Sequence, residues 1–202
     1  MPQHVPMARL PPVLDTDHLP LAELCAARLD GELYAIDDGW APIDEPDLPG
    51  FRAAVAALRA PRSLIVERLS AAWVHGAVDA PPPIAQFCVP LRSRIAVIAD
   101  HRSIVREVRI DDDEITWFGD IRCTSIVRTG FDLLRDPTLG DGQVVEVVGA
   151  MLAPRPALET ALRERLDAAA RMPHRTTARS RLDAAALVAR SRCDRVQPSL
   201  TR

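Results

Sequence analysis

The spacing of apolar residues changes character twice along this chain, and those two changes limit the folds open to it. From Leu19 to Gly76 apolar positions recur mainly at helical intervals, broken by one short hairpin pattern. From Ile84 they fall into the short runs IAQFCVPL, RIAVIAD, SIVREVRI, EITWFG and DIRCTS, bounded by turn residues such as Asp111-Asp112-Asp113. After Thr124-Ser125, either of which can cap a helix, the helical interval returns. A block of strands between blocks of helices predicts an α+β protein with a small mixed or antiparallel sheet.

The helices expected before the sheet are LPLAELCAARLDG, FRAAVAALRA and PRSLIVERLSAAWVHGAV. In the first, Leu21, Leu24, Cys25 and Leu29 share a face, and Gly31 stands where a C-terminal cap is wanted. In the third, Ile65, Leu69, Ala72 and Trp73 mark a buried face, and Gly76 weakens the helix near its end. After the sheet come SIVRTGFDLLRD, closed by Pro137, then GQVVEVVGAMLA, RPALETALRERLDAAARM and TTARSRLDAAALVARS. Arg128 stands four residues before Asp132, the spacing of a surface ion pair worth about 0.3 kcal/mol.

Between the first two helices, ELYAIDDGWAPID predicts a hairpin turning on its Asp-Gly step. A helix followed by a hairpin is the second half of a winged-helix unit. The reading divides the chain into a Pro-rich disordered leader (1–18), a reduced winged-helix-like module (19–49), a central α+β domain (50–137) and a basic helical C-terminal extension (138–202).

Every basic residue counted among the 25 Lys+Arg is arginine, which discounts individual arginines as signals. The net charge of −3 hides an uneven distribution: from Arg155 onward 11 Arg stand against 5 Asp+Glu, so the body is acidic and the tail basic. Arg171, Arg175, Arg179 and Arg181 in the tail, with Arg28 on the first helix, are the candidate nucleic-acid contacts. The four cysteines lie far apart with no CxxC pair, which fits reduced thiols. No uncharged apolar run reaches spanning length, so no membrane association is expected and a cytoplasmic location is.

Three constellations admit chemistry. Asp111-Asp112-Asp113-Glu114 offers hard oxygen ligands, yet successive residues seldom converge on one ion, and a solvated turn between strands is the simpler reading. His75 and His101 with Cys88 or Cys123 have the residue types of a nucleophile and its base, but a cysteine in an apolar strand is more often a buried small side chain. Trp73, Trp117 and Phe131 are expected in the core, whereas Trp40, on the hairpin, is the aromatic expected at the surface.

Two motifs carry a resemblance. Ser70-Ala71-Ala72-Trp73-Val74-His75-Gly76 is a Ser-Ala-rich helix ending in Trp-x-x-Gly, and Arg122 to Leu133 contains Thr-x-x-x-Arg-Thr-x-x-Asp-Leu. Over Arg62 to Asp136 the chain resembles the AbiEi family of bacterial antitoxins, with Trp73, His75, Gly76, Arg128, Thr129 and Asp132 as the signature. The resemblance implies neutralisation of a nucleotidyltransferase-like toxin and, through an N-terminal winged helix, binding of promoter DNA to repress the protein's own operon. It implies no enzyme activity, cofactor or metal. Some relatives continue into a Vsr-like nuclease, whose Glu-x-Lys element a chain without lysine does not contain. The alternatives are a DNA-binding regulator without a toxin and, behind it, a hydrolase or nuclease for which no convergent ligand set is visible.

Overall fold

The computed structural model describes residues 11–59, 63–93, 101–169 and 174–196, with side chains as far as 192. In chain order these form α1 (Leu21–Leu29), β1 (Leu33–Ile36), β2 (Gly39–Pro42), α2 (Pro49–Ala57), β3 (Ile65–Val66), α3 (Arg68–Val74), β4 (Ala85–Pro90) and β5 (Ser103–Val108). A single 3-10 turn at Asp112–Glu114 leads to β6 (Ile115–Phe118), β7 (Ile121–Thr124), α4 (Ile126–Leu134), α5 (Asp141–Leu152), α6 (Ala157–Ala168) and α7 (Arg175–Val196). The fold is α+β, with a two-stranded hairpin and a five-stranded sheet ordered β5-β4-β3-β7-β6.

That sheet is mixed. β4 pairs antiparallel with β3 and parallel with β5, while β3 pairs parallel with β7 and β7 antiparallel with β6. The run RIAVIAD lies outside the described residues. The central strand, β3, corrects the sequence reading, which put Ile65 on the face of a continuous helix. Ile65 and Val66 are β-branched, fully buried and flanked by strands on both sides. A run this short and apolar suits a strand core and a helix core equally, and tertiary pairing decides it.

Two hydrophobic clusters meet across α3. Trp73, Ala71 and Val74 face the sheet side with Phe51, Val55, Phe87, Val89 and Cys123. Ala72 and Ala77 face the helical side with Leu133, Val148, Met151, Leu162, Leu166 and Leu182. The C-terminal helices are therefore half of the core, not an appendage beyond residue 137. At the other end, Val13 and Leu14 are buried and Leu14 bridges to Trp40, so these two residues of the stretch assigned to a disordered leader are part of the fold.

Gly31 caps its helix as expected, and Gly76, expected only to weaken its helix, caps it in the same way. At Gly76 (φ +79°), the N–H donates to the Trp73 carbonyl while the N–H of Ala77 reaches Ala72, closing the helix in a Schellman turn. Gly31 (φ +78°) ends α1 in the same way, with Glu32 bonded to Ala27. Gly39 behaves differently from expectation. The hairpin turns on Asp37-Asp38, with the positive φ at Asp37, and Gly39 is the first residue of β2. A Cβ at Gly39 would stand 2.8 Å from the Leu14 carbonyl oxygen, so close approach of another strand is what requires glycine there.

Candidate functional site

β3 ends in an abrupt turn. Glu67 is extended (φ −136°), Arg68 takes a left-handed conformation (φ +47°), and α3 begins. A non-glycine residue in that region costs about 1–2 kcal/mol, so surrounding contacts must hold it. Gln86 supplies some of them: its carbonyl accepts from Glu67 N–H, its side-chain oxygen accepts from Leu69 N–H, and its own N–H donates to Ser70 Oγ. The turn buries the Glu67 carboxyl to 1% exposure and aims it at β5, where Arg106 binds it through Nε and Nη2 at 2.6 and 2.5 Å. Burial raises the Glu67 pKa, with Arg106 opposing the shift.

α4 brings the second half. Ser125 caps it, its Oγ accepting from Arg128 N–H, and the Thr129 hydroxyl ties the helix back to Thr124 at the end of β7. Arg128 and Asp132 meet at 2.8 Å as expected from their spacing, but both are buried, so this is no surface pair. Arg128 also donates to Glu114 at 2.6 Å and to the Arg109 carbonyl, which locks α4 against the connection between β5 and β6. Glu114 is thus separated from the solvated acidic turn that precedes it: Asp111 to Asp113 are exposed, whereas Glu114 is buried between Arg128 and Arg165 of α6. Among the described residues, no group of three or more His, Cys, Asp or Glu is arranged to hold a metal ion.

Arg68 reaches Asp136, just beyond α4, at 3.1 Å, close enough for an ion pair although the carboxylate oxygen has no hydrogen bond of good geometry. The result is a continuous layer in which Glu67, Glu114, Asp132 and Asp136 lie beneath Arg68, Arg106, Arg128 and Arg165. Arg135, the C-cap of α4, borders this layer without a carboxylate partner among the described residues. Its guanidinium lies 4.8 Å from the centroid of the Phe131 ring, and that of Arg165 lies 4.7 Å from it.

The other signature residues are structural. Trp73 is buried, with the Arg52 guanidinium 5.6 Å from its ring and bonded to its carbonyl. His75 caps α3 and contacts the Thr124 carbonyl through Nε2 at 2.8 Å, a bond in which the ring N–H donates. Burial lowers its pKa. Cys123 Sγ is 3.9 Å from the same ring nitrogen, but burial pushes the pKa of Cys123, like that of Cys88, well above the thiol range. Both shifts favour a neutral imidazole beside a neutral thiol, the reverse of an activated nucleophile pair.

The candidate nucleic-acid residues are not gathered on one surface. Arg181 is 8% exposed and donates to the carbonyls of Leu134, Asp136 and Leu139 and to Asp141, so it plugs the C-terminal end of α4 rather than meeting phosphates. Arg175 and Arg179 both pair with Asp167, and Arg171 lies outside the described residues. Arg28 is exposed on α1. Trp117, expected in the core, is 61% exposed on the edge strand β6 under Arg122, whereas Trp40 is half-buried with its indole nitrogen out of solvent.

Sequence reasoning missed Glu67, Arg106, Arg135 and Arg165, and it placed Glu114 in a solvated turn although the side chain is buried. One local signal was available: a single carboxylate, Glu67, directly after a β-branched pair in an apolar run.

No protein-family profile matches the chain, and no curated protein matches it. Among solved structures it is similar to the crystal structure of the RV2827C protein from Mycobacterium tuberculosis, at 14% identity and a TM-score of 0.46, over 95% of this chain and 78% of that one.

Proposed function

We propose that this protein acts by holding a protein partner, as an AbiEi-like antitoxin holds a nucleotidyltransferase-like toxin, and that the outer face of α1 is the contact. The observation that carries the reading is the placement of apolar side chains on that helix. Only Leu24 is buried; Leu21 is 55% and Leu29 87% exposed, and Ala22, Cys25 and Ala26 are exposed between them. At helical spacing Ala22, Cys25, Ala26 and Leu29 form one outward stripe opposite Leu24 and Ala27. A contiguous apolar stripe turned to water on this nine-residue helix is the kind of surface that a partner protein covers.

Read as a reduced winged helix, with Leu14 bridged to Trp40 beside the hairpin, this module is poorly suited to DNA. Its recognition helix presents Arg28 among alanines and leucines. The tip of the wing is acidic and is held down, because Asp37 binds Arg59 at 2.5 and 2.7 Å and Arg102 at 3.2 Å. Autorepression and the orphan-regulator alternative therefore draw little support from this element, while toxin binding draws more.

The test is whether a nucleotidyltransferase-like protein is encoded beside this one and, where it is, whether the two form a complex, read by size-exclusion chromatography with light scattering. A complex that Leu29→Glu abolishes supports the reading. A complex indifferent to Leu29→Glu and Leu21→Glu moves the contact elsewhere, and no complex at all sinks the antitoxin function. Specific, salt-sensitive binding to the protein's own upstream DNA would favour the regulator instead.

A further inference from the structure

The buried charge layer does not balance. Glu67 is bound by Arg106, Glu114 by Arg128 and Arg165, Asp132 by Arg128, and Asp136 faces Arg68. Arg135 is the fifth guanidinium beside four carboxylates, and each of those carboxylates already has a cation. Its Nε is buried without a hydrogen-bond acceptor among the described residues, and so is the Nε of Arg165. Both guanidiniums lie against the Phe131 ring, so their central carbons are separated by at most twice their distance from it. Arg106 and Arg165 each keep about a third of their side-chain surface in water, whereas the Glu67 and Glu114 carboxylates they hold are buried.

We infer that Arg135 and Arg165, held on Phe131 and bordered by Arg106, form a binding site for a terminal phosphate group. A guanidinium fork with unused, partly desolvated N–H groups binds oxyanions well, and aromatic stacking keeps it in place without neutralising it. A doubly charged phosphate presents three oxygens, enough to engage two forks together. A carboxylate has two, and it carries half the charge. Desolvation lowers the Arg135 pKa, with Arg128, Arg106 and Arg165 adding to the shift against Asp132, as expected for a cation short of counter-charge. This site does not depend on the antitoxin reading, which rests on α1.

The experiment is a thermal-unfolding titration of the full chain with inorganic phosphate, a nucleoside 5′-monophosphate, acetate and chloride at matched ionic strength. Phosphate is expected to raise the Tm by several degrees beyond chloride and acetate. Arg135→Met keeps a flexible apolar side chain over Phe131 and removes the charge. It is expected to leave the Tm in chloride unchanged or higher, and to lose most of the phosphate-specific rise. Arg135→Lys, charged but without the fork, should retain a smaller rise. A stronger response to the monophosphate assigns the site to phosphate esters, and a response to phosphate alone assigns it to the free ion. Equal rises in phosphate and acetate would overturn the inference, as would an Arg135→Met protein that keeps the full phosphate response; that second result would mean phosphate acts only through general exclusion from the surface.

Discussion

Arg181 and Arg135 stand at the same end of α4 and have opposite surroundings. Arg181 comes in from α7 and meets the carbonyls of Leu134, Asp136 and Leu139 together with Asp141. Arg135 belongs to α4 itself and meets an aromatic face and other cations. The two differ in available acceptors, not in charge. A guanidinium surrounded by carbonyl oxygens is part of the structure, whereas one left without them is free to take an external anion. In a chain whose only strong cation is arginine, counting positive charges does not distinguish the two, and the acceptors around each one do.

The difference is open to breakage by substitution. Arg128→Met sets the upper end, because it leaves Asp132 buried without its cation and Glu114 with Arg165 alone; a loss of about 3–5 kcal/mol is expected in urea denaturation. Arg181→Met should cost about 2–4 kcal/mol by the same measurement, since several carbonyls at the end of α4 lose their donor while Asp141, largely exposed, is little affected. If Arg181→Met were silent, the reading of Arg181 as a plug would fail.

A second helix end sharpens the comparison through pH. His75 closes α3 as a neutral ring donating to Thr124, and burial holds its pKa below the usual 6.5. The unfolded chain therefore binds the proton more readily than the folded one. Stability is full above pH 6.5 and is lost as pH falls toward the folded-state pKa, at up to about 1.4 kcal/mol per pH unit. His75→Gln, whose amide retains a donor for Thr124, should flatten that slope between pH 7 and 5.5 in urea midpoints. An unchanged slope would place the titrating group elsewhere. The smallest effect belongs to Arg135→Met, within about 0.5 kcal/mol of the parent, as for a side chain that satisfies no acceptor.

These residues also mark where the sequence was legible. The four strand runs that fall within the described residues, the Gly31 cap and the helices after Ser125 follow from periodicity and local chemistry, because neighbours in sequence determine them. The β3 strand was not legible, since two residues make no pattern and its identity comes from β4 and β7. The charge layer was hidden for a related reason. Its members come from the turn between β3 and α3, the start of α3, β5, the 3-10 turn, α4 and the residues just after it, and α6, and of these only Arg128 and Asp132 stand at a spacing that reads as a pair. That pair was placed on the surface because i,i+4 spacing fixes a helix face but not which way the face points. On α1, likewise, spacing grouped Leu21, Leu24, Cys25 and Leu29 on one face, yet only Leu24 is buried and the other three are exposed.

The position of β3 also affects how the protein is made. Its Ile65 and Val66 lie between β4, which follows soon in the chain, and β7, whose Arg122 and Cys123 are synthesised much later. A nascent chain that has reached β4 can form only one side of that central strand, and the other side stays open as an unpaired, wholly apolar edge until Cys123 has left the ribosome. Premature termination between β4 and β7 would release a fragment with that edge exposed, ready to pair with another chain.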